Sequence, residues 1–145
     1  MANTTRLATA QPFVPSITAP ICNVKVIVRK AGSPTGNLKC EIFDNSGGFP
    51  GTLLQEADDQ ATASGLEADP STSELHFNFT NGPILTNGTT YHIVLSPTGS
   101  FDNSNNVQWF TQNSNTTDSY TQGEAAYKDG TGWNDFTNFT YSDFY

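Results

Sequence analysis

At 145 residues the chain is the size of one domain with a hydrophobic core of its own. Hydrophobic residues make up 35% and charged residues 14%, while Asn, Thr, Ser and Gly together fill about 40% of positions, a profile poor in helix formers and rich in strand and turn residues. A formal charge of −8 with only six Lys and Arg leaves no material for a basic nucleic-acid groove, and no apolar run approaches the ~18 residues of a membrane-spanning helix.

Residues 1–20 read as a partly extended N-terminal segment. Thr4 to Phe13 alternates weakly and is expected to form a first strand, and Pro12, Pro15 and Pro20 forbid a helix there. The leader MANTTRLATAQPFVP has one Arg and no continuous apolar stretch, so it does not read as a signal peptide. With Ala2 behind Met1 it reads as a native start, as in a component that assembles inside a cell and leaves by lysis.

The strongest pattern lies between Ile21 and Phe43. Val24, Val26 and Val28 alternate with Lys25 and Arg29, then Leu38, Cys40 and Ile42 alternate with Lys39 and Glu41. Period two with β-branched residues predicts strands with one buried face. Gly32-Ser33-Pro34-Thr35-Gly36 between them predicts the loop of a hairpin. Four of the six basic residues, Lys25, Arg29, Lys30 and Lys39, then fall on a solvated sheet face. Cys22 and Cys40 both point into the core by parity. In such a hairpin they would stand some 20 Å apart at ~3.3 Å per residue, too far for a disulfide, so two buried thiols are expected.

Asp44 to Gly51 is a loop by composition. Thr52 to Ala57 predicts a short strand with Leu53 or Leu54 buried. Residues 58–71 fit either one helical turn or a strand ending in a loop. Leu75, Phe77 and Phe79 alternate with Glu74, His76 and Asn78 as a one-faced strand. Asn87-Gly88 is a turn signal, and Tyr91, Ile93 and Leu95 share the parity of the strand that follows. Asn105 to Gln112 predicts another strand, with Val107 and Trp109 on one face and Phe110 on the other. Ala125 to Tyr127 predicts a short strand, Asp129-Gly130-Thr131-Gly132 a tight turn, and Trp133 to Tyr145 a tail with aromatic residues on both parities. Eight or nine short strands with turn signals every 8 to 12 residues predict an all-β fold. A single antiparallel β-sandwich of jelly-roll-like type over residues 1–145 fits best, with a closed barrel as the alternative.

Gln11-x-Phe13, Ile21 to Lys30, Gly32 to Leu38, Gly48-x-Pro50-Gly51, Leu85-x-x-Gly88-Thr89-Thr90-Tyr91-x-Ile93-Val94-Leu95, Trp109, Tyr120 and Trp133 together resemble jelly-roll modules of large secreted bacterial proteins and phage structural proteins. The resemblance covers about residue 10 to residue 133, and its motifs are those of turns and strands. It implies a non-catalytic module for which glycan binding is a common expectation.

Chemistry leaves few marks. The only histidines, His76 and His92, fall on outward parity and are expected to be solvated. No GxSxG elbow, zinc-ligand spacing or phosphate loop occurs. The chain therefore reads as no enzyme and requires no cofactor. Calcium is the one ion its loops offer oxygens for, through Asp102, Asn103, Asn105 and Asp129, with Asx turns as the competing explanation. Seventeen aromatics are many for so small a domain. Phe101, Phe110, Tyr120, Tyr127 and Trp133 lie in loops or off the core parity and are the expected glycan or partner contacts, Trp133 first. The expected function is a structural or adhesive surface component of a phage-like particle or other extracellular assembly. Its partners would be copies of itself, other particle proteins or a cell-surface polysaccharide, with no nucleic acid and no membrane insertion. An autonomous carbohydrate-binding module of a secreted enzyme or adhesin is the alternative. The tail 142–145 is expected to contribute to a subunit contact.

Overall fold

A computed structural model describes residues 7–99, 101–102, 104–109 and 125–135. Among these, nine strands have four residues or more: β1 (Ala8–Phe13), β3 (Asn23–Ala31), β4 (Asn37–Ser46), β5 (Phe49–Glu56), β7 (Ser73–Asn78), β9 (Tyr91–Pro97), β10 (Asn106–Trp109), β11 (Ala126–Asp129) and β12 (Gly132–Asp135). Three two-residue strands, β2 (Ala19–Pro20), β6 (Ala61–Thr62) and β8 (Ile84–Leu85), complete the set, and one 3-10 turn spans Ala63–Gly65. The fold is all-β, and every strand pair is antiparallel.

The strands build a sandwich. A seven-stranded sheet runs in the order β12-β11-β1-β9-β4-β5, with β6 pairing to β4, and it curls as a half-barrel. A three-stranded sheet, β10-β3-β7, packs on one face of it. Between them Val24, Val26 and Val28 of β3, Phe77 of β7 and Trp109 of β10 meet Leu38, Cys40 and Ile42 of β4 and Tyr91 and Leu95 of β9. Each set is one parity of its strand, so the period-two pattern is the pattern of this interface. Fully burying a Val, Leu, Ile or Phe side chain is worth about 1.5–3 kcal/mol, so the interface supplies most of the drive to fold. Pro12 is tolerated inside β1 because β11 pairs only with Ala8, Thr9 and Ala10, which leaves Pro12 beyond its reach.

The expected hairpin from Ile21 to Phe43 does not form: β3 and β4 lie in different sheets. Facing strands of two packed sheets show the same alternation as neighbours in one sheet, and the connecting loop decides between them. Here Pro34 is fully buried, Ser33 N donates to Asn105 Oδ1 at 2.9 Å, and Gly36 backs onto Gly99. The loop thereby carries the chain from one sheet to the other. The two cysteines are free, as expected, but only Cys40 is buried. Cys22 precedes β3 and is exposed, because the chain leaves the core there.

The actual hairpin is β4–β5. The stretch read as a loop, Asp44 to Gly51, is the end of β4, a two-residue turn and the start of β5, with Gly47 and Gly48 at φ 63° and 94° between Ser46 and its partner Phe49. Two successive positive φ values match the twist that a two-residue hairpin needs. On β5 neither Leu53 nor Leu54 is buried: they are 46% and 40% exposed. The strand is an edge with irregular register, so parity does not bring them inward. Past β5, Asp58 accepts from Thr80 N at 2.6 Å and Asp59 from Asn78 N at 3.0 Å, clipping the crossover to the end of β7.

Candidate functional site

The outer face of the seven-stranded sheet, turned away from the three-stranded one, is the part of the fold that the core does not explain. Strand β9 is central, between β1 and β4, and its off-parity residues His92 and Val94 are 0% and 1% exposed. Ala10 pairs with Val94 and with Ala126, Phe43 pairs with His92, and Ala8, Phe49 and Trp133 join the same apolar cluster. The expectation of a solvated His92 fails because β9 is covered on both faces. His76 does stand in solvent, 2.8 Å from Glu74.

His92 is held by one hydrogen bond. Its Nε2 donates to Asn45 Oδ1 at 3.0 Å, an oxygen that can only accept, and Nδ1 is left buried with no partner. Burial pushes the imidazole down to about 4, while the Asp44 charge pulls in the opposite sense. The ring is therefore neutral at pH 7.

A polar strip continues along the same face. Lys39 Nζ lies 2.6 Å from Glu56 Oε2 and 4.0 Å from Glu41 Oε1, and Ser96 Oγ donates to Glu41 Oε2 at 2.6 Å. Glu41 and Glu56 sit directly opposite each other on β4 and β5, where like charges repel. Lys39 neutralises the pair. The Glu56 hydrogen bond holds its ammonium above the usual lysine range against the opposing effect of burial. A lysine kept protonated offers no base to Ser96, whose own proton is committed to a carboxylate. Glu41 and Glu56 were absent from the sequence candidates. Lys39-x-Glu41 was legible as one face, whereas Glu56 required the β4–β5 register.

Among the described residues, the predicted contacts Trp133, Tyr127 and Phe101 lie on different faces. Trp133, on β12, is half-buried against the outer cluster with Lys128 Nζ 5.9 Å from its ring centroid. Tyr127, on β11, is half-buried and pairs with Thr9 and Asn134, on the opposite face from Trp133 and its partner Lys128. Phe101 packs against the main core. Phe110 and Tyr120, like the tail residues 136–145, lie outside the described residues.

The predicted calcium ligands are bound to their own turns. Asp102 Oδ1 accepts from Ser104 N at 2.7 Å and Asn105 N at 2.8 Å, while Asn105 Oδ1 is taken by Ser33 N. Asp129 Oδ1 accepts from Thr131 Oγ1 at 2.6 Å and Thr131 N at 2.7 Å. The Asn105 side chain in the first case and the Thr131 side chain in the second lead in holding these carboxyls below the usual range. Asn103 lies outside the described residues. Among the described residues no three His, Cys, Asp or Glu side chains cluster as a metal site would, and no helix is long and apolar enough to cross a membrane.

Comparison with protein-family models, with curated proteins and with solved structures found no match to this chain.

Proposed function

We propose that the chain is a non-catalytic β-sandwich module, a structural or adhesive surface component of a phage-like particle or another extracellular assembly. It acts through contacts with copies of itself, other particle proteins or cell-surface polysaccharide. The observation that carries this reading is the use of the carboxylates. Asp44, Asp58, Asp59, Asp102 and Asp129 each accept a backbone amide of a turn or neighbouring strand. Acids spent on fixing loops serve a rigid scaffold, and a composition rich in Asn, Thr and Ser suits a hydrated exterior. The alternative of an autonomous carbohydrate-binding module asks for a flat aromatic ring with an open face. Trp133 and Phe101 support it less, since the one packs on a cluster beneath Lys128 and the other on the core.

The test is density-gradient fractionation of the producing culture, with the chain followed by peptide mass spectrometry. It should travel with particles or surface material in fixed ratio to other structural proteins. A chain found free in the cytosol refutes the localisation. Release of reducing ends from a polysaccharide panel by the pure protein refutes the non-catalytic reading.

A further inference from the structure

Two stretches of this acidic chain, residues 14–24 and 79–91, contain no Asp, Glu, Lys or Arg. The fold lays them side by side at one end of the sandwich. Ala19 pairs with Leu85 and Pro20 with Ile84 in the β2–β8 ribbon. Ile21 N donates to Pro83 O at 3.1 Å, Gly88 N to Pro15 O at 3.1 Å, and Asn87 N to Thr18 Oγ1 at 3.0 Å. Leu85 turns inward and joins the core. Ile84 turns outward and is 69% exposed, and Ile17 in the adjoining loop is 67% exposed. The other exposed large hydrophobics among the described residues reach only 38–46%. Ile84 thus stands on a frame fixed by several hydrogen bonds, with Ile17 exposed in the loop that leads into it.

We infer that this ribbon is a self-association surface that docks a second copy of the chain about a twofold axis. The choice of partner rests on charge. Copies carrying −8 each repel, and a twofold contact sets a patch against itself, so any charge near the axis meets its like. An uncharged patch is the one an acidic chain presents to its own copy without that cost. A basic partner would gain nothing from neutrality here and would be drawn to the acidic remainder of the surface. Charge depletion around a few large apolar side chains is also the composition of an interface centre. Asp58, bound to Thr80, and Asp59, bound to Asn78, stand at the base of the ribbon. The repulsion between two acidic copies is screened by salt, so added salt should tighten the contact.

This inference rests on the contact-based function proposed above and names one of its contacts. It is tested by sedimentation velocity on the full chain from about 10 μM to about 1 mM, in reductant, at low and high salt. The expected result is a concentration-dependent dimer that tightens with salt. Ile17→Ser with Ile84→Ser should weaken it about tenfold or more, as loss of central anchors does, with an unchanged dichroism spectrum and melting temperature. Cys22→Ser should leave it intact, separating the contact from a chance disulfide through that exposed thiol. A monomer at about 1 mM in high salt, or a dimer indifferent to the double substitution, overturns the inference. A monomer that still travels with particles overturns it while the proposed function stands. Release of reducing ends would remove that function whatever the oligomeric state.

Discussion

Acidification should load the fold through His92 before it reaches the depressed carboxyls of Asp58, Glu74, Asp102 and Asp129. The imidazole is 0% exposed and titrates at about 4 in the folded chain, against about 6.5 when unfolded. Below pH 6.5 the unfolded chain takes up a proton that the folded chain refuses, so stability falls as pH falls. The slope approaches ~1.4 kcal/mol per pH unit and the loss saturates near pH 4, for a total of about 3 kcal/mol. Asp58, Asp102, Asp129 and Glu74 have depressed folded pKa values, so their contributions are present at neutral pH and disappear only below the ordinary carboxylate range. The two windows are therefore separable. His92→Leu removes the titration together with the unpartnered Nδ1, and Asn45, which is exposed, can turn its amide to water. At pH 7 the variant should lie within about 1–2 kcal/mol of the parent, since a lost hydrogen bond is offset by a lost orphan. Urea unfolding at half-unit steps from pH 7 to pH 4 should show the difference shifting by about 3 kcal/mol in favour of the leucine variant. Parallel profiles for the two proteins would refute the assignment, as would a His92 imidazole, assigned by its loss in His92→Leu, that titrates near 6.5 by nuclear magnetic resonance.

Gly99→Ala should destabilise by about 1–3 kcal/mol, because its Cβ would fall 2.2 Å from Thr35 O and 2.8 Å from Gly36 Cα, where backbone meets backbone. Gly130→Ala, with nothing within 4 Å of the added carbon, should change the urea midpoint little. Thiol titration with a chromogenic disulfide reagent should find one fast group in the native protein and a second only in denaturant. Cys22 is exposed, whereas burial raises the Cys40 thiol far above its usual range, with Glu41 adding to the effect. Two fast thiols would place Cys40 outside the core.

The alternation of single strands was legible because it is local. Val24, Val26 and Val28, then Leu38, Cys40 and Ile42, then Phe77 are buried as their parity predicts. Pairing was not legible, because it depends on contacts between loops remote in sequence. Gly36 against Gly99 and Gly32 against Ser104 are tertiary facts, and they turn an apparent hairpin into a crossing between sheets. The real hairpin escaped notice because Asp44, Asn45 and Ser46 give its strand ends the composition of a loop. His92 was misplaced for a different reason. A one-faced strand was assumed, yet Tyr91-His92-Ile93-Val94-Leu95 is nearly continuously apolar, and Val94 on the off parity was the available sign of two covered faces. The candidate contacts fared less evenly. Trp133, expected in the loop after Gly132, lies on β12, and Tyr127 takes the opposite face of the same two-strand edge.

The placement of charge connects scaffold to function. Lys25 and Glu74 pair at 3.0 Å on the outer face of the small sheet, where Arg29 also meets Asp69, and Lys39 lies between Glu41 and Glu56 on the large one. Exposed pairs of this kind contribute little to stability. The Lys25–Glu74 and Arg29–Asp69 pairs do keep the outer face of the small sheet hydrated, and stripping that water away is costly to any partner. Of the described surface, the β2–β8 end carries the two most exposed large hydrophobics, Ile17 and Ile84, on uncharged chain, so removing its water costs little there. A scaffold that spends its ions on its faces and loops thereby leaves one end free for association, and a twofold contact at that single end closes a dimer.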